Sequence, residues 1–276
     1  MLKVICVTTV VTLVATAGAV EIYGVDMADG VPSSLVKFDS NNVGGMRWVG
    51  PMRIYGVSSL EWVGSSLYAY GAGLPGLGLY RINPTNGKST FIGGGGVPST
   101  RDITDLSFNP RDGRLYALGA VRLPYGWGTY LYTINTANGY ATEVGRVTGL
   151  LPGRELSVGL AADVDGTMYF AEMWLDQMYK LPLGTLNATP LPELMGFEAW
   201  NDGGMTIDWA GDGRWHFGAY NASPDRSEYR LVDKTTGATT LVGPFSGSPV
   251  ITDLAIVPEP ASLALLGVAA LALRRR

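Results

Sequence analysis

Few side chains in this sequence combine in a way that could do chemistry, and the best pair is Asp105 and Asp253. They sit in two copies of one tetrapeptide, Ile103-Thr104-Asp105-Leu106 and Ile251-Thr252-Asp253-Leu254, which implies equivalent places in a repeated unit. Two carboxyl groups held at a set separation are the working parts of a glycoside hydrolase, one as acid and the other as base or nucleophile. Asp26, Asp163, Glu172 and Asp208 are further carboxylates for such a site. The competing reading is local: Thr-Asp hydrogen-bonds nearby backbone and fixes how its strand begins. The matching positions of other copies hold Ser59 and Gly159, so the acidic set is incomplete. The local reading is preferred, and no catalytic residue is expected.

Other chemistry is thin. The one histidine, His216, lies in the alternating stretch Arg214–Gly218 with no Ser or Cys nucleophile tied to it, and it reads as packed. One histidine cannot build a multi-histidine zinc site. Asp163-Val164-Asp165-Gly166 resembles the start of a calcium loop, but the glutamate at the required spacing is missing and a turn is expected. Gly71–Gly76 fits a dinucleotide-binding spelling, yet the strand-like Leu79–Asn83 follows where a helix is needed. Gly93–Gly96 lacks the Lys and Ser/Thr of a phosphate loop and reads as a connector. No cofactor and no metal are expected.

Binding has better candidates. Tyr125, Trp127, Trp174 and Trp200, with Arg122 beside them and Arg101 and Arg154 nearby, fall in stretches that read as loops. Aromatic side chains on loops of a rigid scaffold suit sugar rings or protein partners. Trp127, between Gly126 and Gly128, is expected to be the exposed one.

Such loops need a scaffold, and the chain supplies one by repetition. Leu35–Gly50, Leu79–Gly93, Leu131–Gly145, Met178–Leu191 and Tyr229–Gly243 share a strand–turn–strand–glycine pattern, starting about 44 to 52 residues apart. Their turns include Asn86-Gly87, Asn138-Gly139 and Thr236-Gly237, which suit tight hairpins. A second hairpin, with turns such as Asp112-Gly113, Asp165-Gly166 and Asp212-Gly213, precedes each of the later four. Each unit is thus four short strands, which must stack on neighbours to bury both faces. The first unit lacks its opening strand, and Ile251–Leu254 supplies one at the far end of the chain. These facts predict an all-β fold, a five-bladed β-propeller over residues 20–257 whose last strand completes the first blade. An open β-solenoid is the alternative. In a propeller, Asp105 and Asp253 would face each other across the central channel. The segments Leu74–Gly78, Gly93–Asp102, Ala120–Thr129, Arg146–Leu156, Met195–Gly203 and Ala222–Ser227 would be long loops on one face, opposite a face of tight turns. The repeats resemble the propeller-like repeats of many bacterial secreted proteins, of the type LYxIDxxTGxxTxVG, which imply a fold and no defined activity. The Met178–Leu191 copy departs from the pattern at Pro182 and Gly184.

Both ends read as targeting segments. Met1–Ala19 has a positive start at Lys3, an apolar run over Val4–Val14 and an Ala17-Gly18-Ala19 cleavage site, so export and a signal peptidase are expected. Cys6, the only cysteine, leaves with that segment. At the other end come Pro258-Glu259-Pro260, an apolar run from Ala261 to Leu273, and Arg274-Arg275-Arg276. Thirteen residues at about 1.5 Å each span only about 20 Å, short of the roughly 30 Å hydrocarbon core, so membrane association is expected to be transient. The basic cluster marks the cytoplasmic side. This order of parts closely resembles the PEP-CTERM sorting signal of Gram-negative bacteria. Tails of this type are also labelled an ice-binding protein C-terminal domain, a label from which no affinity for ice follows. The resemblance implies recognition by an exosortase, and a place at the cell surface or in the extracellular matrix of exopolysaccharide-producing, biofilm-forming bacteria.

Removing Lys3, Glu259 and the three terminal arginines leaves 16 basic and 23 acidic residues, a net charge of −7 that disfavours nucleic acid as a partner. The sequence therefore points to a non-catalytic surface module that binds extracellular polysaccharide or a surface protein. A channel-centred hydrolase and a purely structural matrix component are the rivals.

Overall fold

Short apolar alternations separated by Asn/Asp-Gly turns give twenty strands and, among the described residues, no helix. The computed structural model describes residues 19–27, 31–209, 213–247 and 249–257. The sorting tail from Pro258 onward and the expected signal segment up to Gly18 lie outside the described residues.

The strands form five four-stranded antiparallel sheets. The first blade holds β1 (Glu21–Asp26), β2 (Ser34–Asp39) and β3 (Asn42–Pro51). The second holds β4 (Tyr55–Val63), β5 (Ser66–Gly73), β6 (Gly76–Ile82) and β7 (Ser89–Gly93). The third holds β8 (Arg101–Asn109), β9 (Arg114–Leu123), β10 (Gly126–Ile134) and β11 (Ala141–Arg146). In the fourth are β12 (Ser157–Ala162), β13 (Met168–Glu172), β14 (Gln177–Leu181) and β15 (Thr189–Leu194). The fifth contains β16 (Ala199–Ile207), β17 (Trp215–Asn221), β18 (Arg226–Val232) and β19 (Thr239–Pro244). The final strand, β20 (Ile251–Ile256), pairs with β1 from Ile22↔Ile256 to Asp26↔Ile251 and completes the first blade. The inner strands β20, β4, β8, β12 and β16 touch in cyclic order, so the ring is closed. The expected five-bladed propeller, with its closing strand from the C-terminus, is what the chain forms.

The core lies between blades. Tyr23, Val25 and Leu35 of the first blade pack with Leu60, Leu67 and Tyr80 of the second. Tyr116, Leu118 and Leu131 meet Leu160, Phe170 and Tyr179 across the next boundary but one. A lone blade could bury neither face, which explains why the repeats must stack. The inner strands β12 and β20 are buried throughout, whereas the outer β11 is mostly exposed.

The repeat motif has a mechanical basis. Its Asn or Asp accepts the amide two residues on, as Asn83 does from Thr85 at 2.9 Å, Asn135 from Ala137 at 2.9 Å and Asp233 from Thr235 at 2.7 Å. The glycine ending one repeat packs against the Asn-Gly turn of the next blade, Gly50 on Asn86-Gly87 and Gly93 on Asn138-Gly139. Pro182 replaces the capping residue in the fourth copy, and Gly145 there meets the Leu186 side chain instead.

Candidate functional site

The axial carboxylates are structural clasps in their geometry. Each inner strand breaks register near its start, skipping Thr252 in β20 and Thr104 in β8. A bulge leaves main-chain amides without ladder partners, and carboxylates can take them. Asp105 accepts the amide of Leu106 at 2.6 Å and, from the next blade, that of Leu160 at 2.5 Å. Asp253 accepts Leu254 at 2.6 Å and Leu60 of the next blade. Glu61, which the sequence did not single out, accepts Trp62 at 2.7 Å and Phe108 of the third blade at 3.1 Å. The hydroxyls of Ser58 and Thr252 add donations to Ile103 O at 2.6 Å and Val57 O at 2.8 Å. Three carboxyl groups thus tie four consecutive inner strands.

Asp105 and Asp253 do meet, hydrogen-bonded to each other, and both are 0% exposed. Burial raises both well above the usual carboxylate range, and the neighbouring Asp105 raises Asp253 further. Burial also pushes Glu61 up to about 8 against the pull of its two amides. Gly204 on the fifth blade lies beside one of these groups, and a Cβ there would overlap the Asp253 carboxylate, whereas one on Gly159 would meet Phe217 and Met205.

The other carboxylates do not join this pair. Asp163 begins a turn, bonded to Val164 N at 2.7 Å and Lys234 Nζ at 2.9 Å, so the turn reading holds. Asp26 accepts Val250 N at 3.1 Å near the start of the closing strand. Asp208 is buried just beyond β16. His216 is buried, with Nδ1 against the Tyr229 hydroxyl. Gly71–Gly76 forms a strand end and hairpin turn, and Gly93–Gly96 leaves β7 as a connector.

The face bearing the blade-to-blade connections holds the aromatic candidates, with corrections to the expected loops. Leu74–Gly78 and Ala120–Thr129 are not long loops: β5–β6 and β9–β10 extend to two-residue turns, and Trp127 pairs with Arg122 within that hairpin. Trp127 is therefore half-buried rather than exposed, its strand bridged to Arg154, because the segment alternates as a strand instead of forming a loop tip. Met195–Gly203 gives way to β16 at Ala199, so Trp200 lies at the start of a strand rather than on a loop. Arg101 is consumed by Tyr132, by Glu143 at 2.6 Å, and by the Tyr130 ring at 3.5 Å. Arg122 remains exposed.

Tyr125, at the turn between β9 and β10, is 95% exposed, and Trp174 and Trp200 are each 54% exposed. Two carboxylates hold the tryptophans' backbones. Glu172, buried at the end of β13, accepts the amides of Trp174 and Leu175 at 3.0 Å each. Burial pushes its carboxyl up to about 7, with Asp176 raising it and Arg154 lowering it. Asp176 accepts the amide of Ala199 at 2.8 Å, fastening the start of β16, and so Trp200, to the turn that carries Trp174. Glu172, a channel candidate by its sequence, instead braces this face. Gly153 lies against Tyr125 O, so the tip of the β9–β10 hairpin rests on the segment that presents Arg154. Tyr125, Arg154, Trp174 and Trp200 thereby lie on one face, along the third to fifth blades.

Fold and face define a closed five-bladed propeller with a wet aromatic patch on one face. The C-terminal residues 257–276 match the family model described as the PEP-CTERM protein-sorting motif, which marks the chain as an exported substrate of exosortase. No curated protein matches the chain. It is similar to a crystal structure of a protein of unknown function from Bacteroides caccae, at 10% identity and TM-score 0.46, over 88% of this chain and all of that one. It is also similar to a protein from Lactobacillus plantarum, at 12% identity and TM-score 0.48, over 87% of this chain and all of that one. Neither likeness informs function. Among the described residues no helix is long and apolar enough to cross a membrane, and the apolar run 261–273 lies outside them.

Proposed function

We propose that this exported protein is a non-catalytic module of the cell surface or extracellular matrix that binds polysaccharide through Trp174 and Trp200, with Tyr125 and Arg154 flanking. The supporting observation is that two half-exposed tryptophans, 54% each, stand on the turn after β13 and at the start of β16, where buried or part-buried carboxylates fix the backbone. Indole faces left wet on a fixed scaffold suit the apolar faces of sugar rings, because little order is lost on binding. The buried, amide-bonded state of Asp105 and Asp253 supports a structural role for that pair over acid–base catalysis. Extracellular polysaccharide from the host, mixed with residues 20–257, should co-sediment with the protein without release of new reducing ends. Replacing both tryptophans by alanine should weaken retention at least about 30-fold, since an interface anchor carries about 2 kcal/mol or more. New reducing ends, or retention unchanged in the double variant, would overturn the proposal.

A further inference from the structure

The two ends of the propeller leave from one face. Inner strands start at the blade-to-blade connections and run toward the tight turns, so β20 ends on the tight-turn face. There Val257 donates its amide to Glu21 O at 3.2 Å, while Val20, one residue before β1, donates to Ser40 Oγ at 3.1 Å. Both hydrophobic ends read from the sequence therefore join the body at neighbouring points. Trp174, in the turn after β13, and Trp200, at the start of β16, lie at the other face.

The connection to the sorting tail is also short. Only Pro258, Glu259 and Pro260 separate Val257 from the apolar run that begins at Ala261. Four Cα-to-Cα steps reach at most about 14 Å even when fully extended. The headgroup layer on each side of a bilayer is itself roughly 5–8 Å thick. A body fastened so closely cannot turn its far face to the lipid.

Charge on that face is mixed. Lys37, Lys88, Lys180 and Lys234, all the lysines between residues 20 and 257, lie toward the tight-turn end, near the end of β2, in the turn after β6, near the end of β14 and in the turn after β18. Lys37 is paired with Glu21 at 2.8 Å, Lys234 with Asp163 at 2.9 Å and Arg114 with Asp112 at 4.0 Å. Lys88, Lys180 and Arg111 are exposed there and suit the anionic headgroups of a phospholipid surface.

We propose that, until the tail is processed, the tight-turn face is held against the anionic membrane surface and the Trp174–Trp200 face is directed away from it. The apolar run seats in the bilayer, the terminal arginines hold its far end, and the three-residue connection sets the orientation. This arrangement leaves the aromatic face open to the cell exterior while the chain is still membrane-bound, and it stands whether or not that face binds sugar.

The test uses the exported chain with its tail intact, purified from a host lacking exosortase, in vesicles of phosphatidylglycerol and phosphatidylethanolamine. Once the N-terminal segment is removed the chain has no cysteine, so single ones can be placed at will. Ser65→Cys and Ala137→Cys mark tight turns, and Tyr125→Cys and Ser223→Cys mark the opposite face. Each is labelled with an environment-sensitive fluorophore and exposed to lipid carrying a headgroup quencher. At least fivefold stronger quenching at Ser65 and Ala137 is expected, and a flexible twenty-residue insertion after Val257 should abolish the difference. Equal or reversed quenching, failure of the chain to float with the vesicles, or an asymmetry that survives the insertion would each overturn the proposal.

Discussion

Gly204 on the fifth blade and Asp253 on the closing strand compete for one space: a Cβ on Gly204 would overlap both the Asp253 carboxylate and its Cα. The missing side chain lets the C-terminal strand sit in the ring, where Asp253 can reach Leu60. Gly204→Ala should therefore push the closing strand outward. Overpacking of this kind costs about 1–3 kcal/mol, and the loss of the Asp253 clasp should bring the total to at least about 2 kcal/mol. Denaturant unfolding checks this, and an unchanged midpoint would show that the ring closes without the fit.

Gly93 and Gly243 end equivalent repeats, yet the structure separates them. A Cβ on Gly93 would overlap the main chain of Asn138, whereas one on Gly243 meets nothing within 4 Å. Gly93→Ala should destabilise by about 1–3 kcal/mol, and Gly243→Ala should stay within about 0.5 kcal/mol of the parent. Equal losses in thermal unfolding would mean that glycine is kept at these positions for backbone freedom alone.

The contrast shows how the sequence was informative. Period, turn residues and the duplicated Ile-Thr-Asp-Leu were enough for the ring and its closing strand, because each blade repeats the same local instructions. What local pattern could not supply was the meeting of different blades. Asp105 and Asp253 read as possible catalysts because a carboxylate's partners are amides distant in sequence, such as Leu160 and Leu60. Glu61 drew no notice for the same reason. Gly204 was one glycine among 38, distinguished only by its neighbour in space. The β9–β10 hairpin was read as a loop because Pro124 and the glycines around Trp127 hide a strand alternation.

Buried carboxyls make stability depend on pH in a definite sense. Glu61 holds its proton to about pH 8 in the folded protein but releases it near 4.5 when unfolded. Its contribution is complete below about pH 4.5 and is lost as pH rises to about 8, and the raised Asp105–Asp253 pair acts in the same direction. The melting temperature should fall between pH 5 and pH 9, by a few kcal/mol of stability from Glu61 alone as an order-of-magnitude figure. Glu61→Gln should flatten the slope over that range. A melting temperature that rises with pH would contradict the assignment.

Asp176 supplies the sharpest check on the aromatic face, since it touches both tryptophan-bearing segments without being either tryptophan. Its carboxylate accepts the Ala199 amide at 2.8 Å, and its main-chain oxygen accepts Met195 N at 2.8 Å. Asp176→Ala removes the first bond and keeps the second, so the connection stays in place while the start of β16 loosens around Trp200. The stability cost should be modest, about 1–2 kcal/mol for a lost charge-assisted bond. Polysaccharide retention should fall roughly 5- to 10-fold as Trp200 loses its fixed backbone, and Asp176→Asn, which keeps an acceptor oxygen, should recover most of it. Indole fluorescence anisotropy distinguishes loosening from unfolding: it should drop in the alanine variant and return in the asparagine one. Retention equal to the parent in Asp176→Ala would mean that the tryptophans act without this brace.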